Sequence, residues 1–323
     1  MKFNKQRKQI IQLYSSTLLG VVLGIFVSVL NTRNLGPSSY GDVRYVTNLF
    51  NFISSFLLFG YFVSGSRLLA ISKSKLNSQS IRGIMVVILG ITVLVTMFLL
   101  LVGAVVEYVW FNKEIVSLIL YAVPVCATPL MLNYINTTAQ GDNHIGRIAA
   151  ARLFPSFVYL IVGYLVYRYW GATSTKMLLL QNGIAIFVFS CIIWSTRPSF
   201  GYLKASFKRL NRENKRYGRP VYWGSISNVS LSYLAGITLG IYNADNVDVG
   251  FYTLALTVAT PLSMLPSIIG TTYFKRFAVS NQISNKIMLG TIILTIVSCV
   301  VFVMIINPVV RILYDESYSP VAY

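Results

Sequence analysis

The chain has 323 residues, of which 55% are hydrophobic and only 11% charged, and its mean hydropathy is +0.66. A soluble domain carries about 25% charged residues, so this composition excludes an ordinary soluble protein. Apolar runs close to the ~20 residues that an α-helix needs to cross a bilayer recur along the chain. One of them, residues 84–106, contains no charged residue. The composition therefore predicts an all-α, polytopic membrane protein.

The apolar periodicity predicts nine membrane-spanning helices, and a tenth that begins near Tyr318. The predicted helices cover residues 10–31, 44–65, 83–106, 115–139, 147–169, 175–195, 220–241, 250–273 and 286–306. The basic stretch 197–220 separates the first six helices from the rest. We expect residues 1–196 to form a six-helix bundle and residues 221–323 to form an incomplete second bundle of about three helices and the start of a fourth.

The formal net charge of +18 is explained by the loops between these helices. If the N-terminus is cytoplasmic, 21 of the 27 Lys and Arg residues fall on the cytoplasmic side. This is the positive-inside bias of a membrane protein, so no nucleic-acid partner is expected. The linker 197–220 supplies eight of these charges; it either orients the helices or binds anionic lipid headgroups.

Cysteine usage and motifs exclude several classes of protein. Cys126, Cys191 and Cys299 all fall inside apolar runs, so no disulfide or metal site is expected. No GxxxxGK[ST] loop occurs, which argues against transport driven by the chain's own ATP hydrolysis. The predicted outer loops are only about ten residues long, too short for the charged catalytic loop of a membrane glycosyltransferase. We therefore expect neither an enzyme nor a cofactor.

Small residues recur at four-residue spacing on the first and seventh predicted helices. They are Ser16, Gly20, Gly24 and Ser28 on the first, and Asn228, Ser232, Gly236 and Gly240 on the seventh. The match suggests a parallel repeat around a central site, a plan that recurs in transporters. The alternative is that these residues simply let helices pack closely.

The second predicted helix carries a polar face, because Arg44, Asn48, Asn51 and Ser55 fall at i, i+4, i+7 and i+11. Polar side chains are costly in contact with lipid, so this face should point toward protein or a watery cavity. In the alternative interpretation, Arg44 reaches the outer headgroups and the amides bond a neighbouring helix.

The fourth predicted helix carries a second polar face near its cytoplasmic end, and two prolines upstream should bend or open it. Several arginines are expected at the same end. The residues of this group are Asn133, Asn136, Thr137 and Gln140, the prolines Pro124 and Pro129, and the cations Arg67, Arg147 and Arg152.

Acidic residues are predicted to lie only in loops or at helix ends. They are Asp42, Glu107, Glu114, Asp142, Glu213, Asp245, Asp248, Asp315 and Glu316. A cation-coupled antiporter commonly keeps a carboxylate within the membrane, and none is expected here. A path with arginines and amides suits an anionic or heavily hydroxylated cargo, because arginine binds phosphate bidentately and stays charged.

Several stretches resemble the polysaccharide-biosynthesis flippases, the Wzx-type exporters of the MATE-like MOP superfamily. The clearest is "TRNLGPSSYGDVRYVTNLFNFISSFLLFGYFVSGSRLLA" (32–70), with its R-x-LGP-x-x-YG turn between the first two helices. The stretches "TTAQGDNHIGRIAAAR" (137–152), "VDVGFYTLALTVATPLSMLP" (247–266) and "RILYDESYSPVAY" (311–323) are also similar. The likeness thus spans essentially the whole chain.

The resemblance implies two six-helix bundles around a cavity that opens alternately to either side of the bacterial inner membrane. It implies a cargo of undecaprenyl-pyrophosphate-linked oligosaccharide, dependence on an ion gradient, and as partners the membrane lipids and the polysaccharide polymerase and chain-length machinery. On this hypothesis Arg44, Arg67, Arg147 and Arg152 screen the diphosphate. Sugar hydroxyls would bond to Asn48, Asn51, Ser55, Asn133, Asn136 and Asn228.

Three other functions remain open at this point. A MATE-type drug or metabolite antiporter shares the fold but should need a carboxylate within the membrane. A lipid II flippase of the same superfamily is typically longer than this chain. A non-transporting scaffold in a polysaccharide assembly complex is the third.

Overall fold

The structure is a computed structural model that describes residues 2–72, 74–111, 115–243, 245–262 and 285–322. All regular secondary structure within these ranges is helical. The α-helices are α1 Lys2–Asn34, α2 Pro37–Phe56, α3 Tyr61–Ile71, α4 Lys75–Val106, α5 Val116–Ala122, α6 Thr128–Gly141, α7 Ile145–Trp170, α8 Ser174–Ser195, α9 Leu203–Glu213, α10 Arg219–Tyr242, α11 Val247–Leu262 and α12 Asn285–Leu313. Short π- or 3₁₀-helical segments follow α4, α5, α9 and α12.

Six segments of the described chain are long and apolar enough to cross a membrane, and the bent pair α2–α3 is a seventh if it counts as one span. The six are Ser15–Asn34, Lys75–Trp110, Val116–Gly141, Ile145–Trp170, Ser174–Ser195 and Met288–Leu313. The prediction of an all-α, multi-pass membrane protein is confirmed. Of the eighth predicted helix, 250–273, the part beyond residue 262 lies outside the described residues.

The second predicted helix, 44–65, is wrong as a single element. The structure has α2 and α3 in its place, with a bend of 60° between them. Phe59 and Gly60 both have positive φ at the break, 45° and 77°. Glycine is tolerated there because it lacks a Cβ. The helix also begins earlier than predicted, at Pro37, so Arg44 lies two turns inside α2.

The prolines of the fourth predicted helix act as expected. The chain leaves the α-helix for a 3₁₀ turn over Val123–Val125, which contains Pro124, before α6 begins. Pro129 lies in the first turn of α6, where the backbone N–H that proline lacks has no partner within the helix.

The linker is not an irregular loop, because residues 203–213 form α9 and a π-helical turn, Asn214–Gly218, leads into α10. Its C-terminal part packs on the break between α2 and α3. The buried Asn214 donates to the Phe59 carbonyl oxygen (3.1 Å) and accepts from the Ser64 hydroxyl (3.2 Å). The Tyr222 hydroxyl donates to the Phe56 carbonyl oxygen (2.6 Å). The linker thus supplies partners for backbone groups that the break leaves free.

We expect Gly60→Ala to destabilise the folded protein. The new Cβ would lie 2.3 Å from the Gly218 carbonyl oxygen, at a backbone φ of +77° that side chains rarely adopt. A residue forced into this region costs about 1–3 kcal/mol. Thermal unfolding of the detergent-solubilised chain measures the effect. Gly90→Ala is the matched control, because nothing lies within 4 Å of a Cβ at Gly90 on α4. An unfolding temperature no lower than that of the control would contradict this account of the break.

The bundle has two distinct ends. We call the end that bears the turn between α1 and α2, residues 35–37, the turn end, and the end that bears residues 197–218 the linker end. Both α1 and α7 run from the linker end to the turn end, and they pack along each other.

The two halves of the chain pack against each other at the turn end. One buried apolar cluster there joins Val43 and Val46 of α2 to Ile237 of α10, Val249 of α11 and Val310 of α12. A second cluster, toward the linker end, contains residues of α3, α4, α6, α7, α8 and α9. Within the described ranges, no residue of α10, α11 or α12 belongs to this second cluster.

Candidate functional site

A cavity of about 560 Å³ lies between the N-terminal half and α11. Its walls come from α1, α6, α7 and α8, with Thr260 of α11 opposite. Cavities of this size hold small-molecule ligands in many proteins. Val21, Val27, Leu132 and Phe189 form part of its apolar wall. Its main polar groups are Thr17, Arg152, Ser156, Tyr159, Gln181 and Asn182.

Arg152 is the cation of this cavity. It lies seven residues after the start of α7 at the linker end, about 10 Å along the helix axis. One guanidinium nitrogen donates to the Thr17 hydroxyl at 2.5 Å. Among the described residues, no carboxylate lines the cavity and no Asp or Glu forms an ion pair with Arg152. Because a guanidinium stays protonated even when half-buried, the cavity carries an uncompensated positive charge.

A pair of amides on α8 faces Arg152 across the cavity. The Asn182 side chain is largely buried and donates to the Leu178 carbonyl oxygen of its own helix (3.0 Å), which leaves its oxygen as an acceptor toward the cavity. Gln181 lines the same wall. Together with Ser156 they offer both donors and acceptors, which suits a ligand with hydroxyl groups.

Tyr159 separates the cavity from a second polar group nearer the turn end. Its hydroxyl lies 2.5 Å from the Asn31 amide oxygen and 2.7 Å from the Tyr167 hydroxyl. Arg44 lies close by, its guanidinium 4.8 Å from the centre of the Tyr40 ring, and its charge acts on Tyr159. Asn31 Nδ2, the Tyr40 hydroxyl and Arg44 Nε are buried and have no hydrogen-bond partner among the residues that the structure describes.

The turn end is closed by contacts between the two halves, which we call the turn-end seal. Arg33 of α1 donates to the carbonyl oxygens of Ile312 (2.7 Å) and Leu313 (3.0 Å) at the end of α12. Asn246 donates to Asp42 at 2.7 Å. The other hydrogen bonds of the seal join Ser28 to Tyr314 (2.8 Å) and the Tyr318 hydroxyl to the Leu35 carbonyl oxygen (3.1 Å).

Burial raises the pKa of the Tyr318 phenol at the seal, and the nearby Tyr40 and Asp315 raise it further, while Arg44 lowers it. The phenol therefore stays protonated at neutral pH and can donate its hydrogen bond. This hydrogen bond of the seal therefore does not depend on pH in the physiological range.

The polar face predicted on α2 is used mainly in packing. A Cβ at Gly236 of α10 would lie 2.2 Å from the Asn48 amide nitrogen, and one at Gly240 would lie 2.3 Å from the Tyr45 ring. Gly236 and Gly240 therefore permit α10 to pack closely against α2, which is the second of the two interpretations given above for the small residues of this helix. Ser55 donates to its own helix at the Phe52 carbonyl oxygen (2.7 Å). Neither Asn48 nor Ser55 lines the cavity, and Asn51 of the same face, which is half-buried, does not line it either.

Two of the three cations predicted at the cytoplasmic mouth, Arg67 and Arg147, form ion pairs. Arg67 pairs with Glu213 at 3.0 Å and lies over the Tyr217 ring. Arg147 pairs with Asp142 at 3.1 Å. The same carboxylate binds Arg82 at 2.8 Å.

The remaining predicted site residues lie away from the cavity lining or outside the description. Asn133 and Asn136 lie half-buried on α6, and the Asn136 amide oxygen has no partner. Asn228 lies on α10, and its side chain lies outside the described residues. Of the nine predicted residues whose side chains the structure describes, Arg152 alone lines the cavity.

Glu107 lies at a helix end, as predicted, because it follows directly on the last residue of α4, but its burial was not predicted. This residue belongs to the spanning segment Lys75–Trp110, is only 6% exposed, and accepts a hydrogen bond from the Tyr45 hydroxyl. The helix continues past the predicted end at residue 106 as a π-helical turn, which carries Glu107 inward. Glu107 does not line the cavity.

Sequence reasoning missed most of the cavity's polar groups. Thr17 and Ser156 are single hydroxyl residues in apolar runs, which gives them no distinctive pattern. A signal did exist for Gln181 and Asn182, because adjacent amides within "LLLQNGIAIF" are costly in lipid and indicate a protein-facing role.

The helical arrangement has the fold of a solved transporter structure. A solved structure described as "Inward-facing conformation of a multidrug resistance MATE family transporter of the MOP superfamily" superposes with a TM-score of 0.66 and 17% sequence identity, covering 97% of this chain and 78% of that one. The family described as "Polysaccharide biosynthesis protein" matches residues 7–278. The chain therefore belongs to the polysaccharide biosynthesis protein family, which confirms the resemblance found in the sequence. No curated protein sequence matches it.

Proposed function

We propose that this chain moves an undecaprenyl-pyrophosphate-linked oligosaccharide from the cytoplasmic to the outer leaflet of the bacterial inner membrane, for synthesis of O-antigen or capsular polysaccharide. The observation that carries the proposal is Arg152, an uncompensated cation in a cavity lined by hydroxyl and amide groups. A drug cation would be repelled by such a site, whereas a phosphate would be bound.

The chemistry of this cargo fits the cavity. Its pyrophosphate needs a cation and hydrogen-bond donors to replace water, and its sugars need both donors and acceptors. Arg152 and Thr17 offer the cation and donors for the pyrophosphate. Ser156, Gln181 and Asn182 offer donors and acceptors for the sugars. The polyprenyl tail would remain in the bilayer while the polar head crosses.

The direction of transport follows from the charge distribution. Because the linker end bears most of the basic residues, we place it in the cytoplasm. The halves meet in the turn-end seal, which supports a state that is closed toward the outside. Cargo would enter at the linker end, and breaking the seal would release it on the opposite side. The delivered unit would then pass to the polysaccharide polymerase and chain-length machinery.

A cation-coupled antiporter is the second candidate, and Glu107 is the observation in its favour. A buried carboxylate within a spanning segment is the group that a cation-coupled transporter uses. It lies apart from the cavity, however, where it would not bind a cationic substrate.

Cells that lack this gene but still make the surface-glycan precursors test the proposal. We expect the lipid-linked oligosaccharide to accumulate in the cytoplasmic leaflet, and expression of this chain to restore it to the outer leaflet. An unchanged leaflet distribution, with altered sensitivity to cationic drugs that depends on Glu107, would favour the antiporter instead.

A further inference from the structure

A groove of about 490 Å³ lies at the turn end, on the outer surface where α1 packs along α7. It is separate from the transport cavity and shares no lining residue with it. Its residues are Phe26, Val29, Leu30, Arg33, Asn34, Leu160, Tyr164 and Arg168. None of the eight is acidic.

Both walls of the groove change from apolar to cationic in the same direction. On α1, Phe26, Leu30 and Arg33 follow one another at i, i+4 and i+7. On α7, Leu160 lies two turns before Arg168. Since α1 and α7 both run toward the turn end, the two arginines lie nearer that end and the apolar residues farther from it. The groove is therefore cationic at the turn end and apolar at its other end.

Neither arginine of the groove pairs with a carboxylate within the described ranges. Arg33 uses two of its nitrogens on carbonyl oxygens at the end of α12, which leaves the third available. Arg168 has no hydrogen-bond acceptor in the part of the chain that the structure describes, and its side chain is exposed. On the predicted topology only six of the 27 basic residues lie at the turn end, and two of these six meet here.

We propose that this groove binds an anionic phospholipid of the leaflet at the turn end. The phosphodiester lies between the guanidiniums of Arg33 and Arg168, with Asn34 as a further donor, and one acyl chain follows Leu30 and Leu160. Arginine recognises phosphate with two parallel hydrogen bonds, and an acyl chain gains free energy from each buried methylene. A free phosphate would use the same cations but not the apolar part of the groove.

The proposal is tested by native mass spectrometry of the purified full chain with phosphatidylglycerol or phosphatidylcholine of the same acyl chains. We expect wild-type protein to retain phosphatidylglycerol preferentially. Arg168→Gln should weaken its binding about tenfold, the loss expected for one charge-assisted pair. Arg311→Gln is the matched control, because Arg311 is an exposed arginine on α12 outside the groove. It should leave binding unchanged.

A second variant distinguishes the contribution of the headgroup to binding from that of the acyl chain. Leu160→Trp fills the apolar part of the groove and keeps both arginines, so it should also reduce phosphatidylglycerol retention. Equal retention of the two lipids by wild type, or equal loss in Arg168→Gln and Arg311→Gln, would overturn the proposal. Displacement of the lipid by millimolar inorganic phosphate, with no effect of Leu160→Trp, would mean that the groove is a site for free anions.

Discussion

Arg152→Ala is expected to slow export of the lipid-linked oligosaccharide strongly while the protein remains in the membrane. Arg152 is the uncompensated cation of the transport cavity, where a phosphate would gain charge-assisted hydrogen bonds. Such bonds contribute about 1.5–3 kcal/mol, so transport should fall by about 10- to 100-fold at limiting cargo. The measurement is the rate at which the oligosaccharide appears in the outer leaflet of cells that express each variant at equal level.

Two further variants show whether the charge itself is responsible. Arg152→Lys keeps the charge but loses the bidentate geometry, so it should retain part of the activity. Arg311→Ala removes an exposed cation outside the cavity and should export normally. Normal export by Arg152→Ala would remove Arg152 from the cargo's path and with it the main support for an anionic cargo.

Gly41→Val is expected to open the turn-end seal and stop transport. A Cβ at Gly41 would lie 1.9 Å from the Asn246 carbonyl oxygen, so any side chain here must push the start of α11 away from α2. The displacement breaks the adjacent hydrogen bond from Asn246 to Asp42. A transporter that cannot close one end cannot alternate between its two states, so the cycle should stop.

Thiol labelling measures the opening of the seal. A single cysteine in place of Val249, which is fully buried in the turn-end cluster, should react with a membrane-impermeant maleimide much faster in Gly41→Val than in its parent. The native cysteines Cys126, Cys191 and Cys299 are first replaced. Gly36→Ala is the control on the same turn, because nothing lies within 4 Å of a Cβ at Gly36. If Gly41→Val labels slowly and still transports, the seal is not the moving gate.

The sequence predicted the helical, apolar character and the approximate position of most helices, because apolar length is a local property. The prediction of a single helix over residues 44–65 was wrong at the break between α2 and α3. The break depends on contacts with Asn214 and Gly218, more than 150 residues later, which supply hydrogen bonds and space that the local sequence does not encode. Long-range packing also places Asn48 against Gly236. The position of Asn48 on the polar face of α2 was by itself equally consistent with a role in a cavity.

The candidate site was harder to predict than the fold. Arg67 and Arg147 have the same local character as Arg152, and only tertiary structure shows that they pair with Glu213 and Asp142. The burial of Glu107 was not predicted, for a related reason. Its burial depends on the Tyr45 hydroxyl of another helix and on a π-helical turn that extends α4.

Reconstitution of the purified chain tests the central claim most directly. The assay places a fluorescent polyprenyl-pyrophosphate-linked oligosaccharide in both leaflets of a liposome and bleaches the outer leaflet with an impermeant reductant. We predict that liposomes with the wild-type chain expose the inner-leaflet pool to bleaching, that Arg152→Ala liposomes expose it about 10- to 100-fold more slowly, and that empty liposomes protect about half of the label. Equal protection in wild-type and empty liposomes would contradict the claim that this chain moves such a cargo.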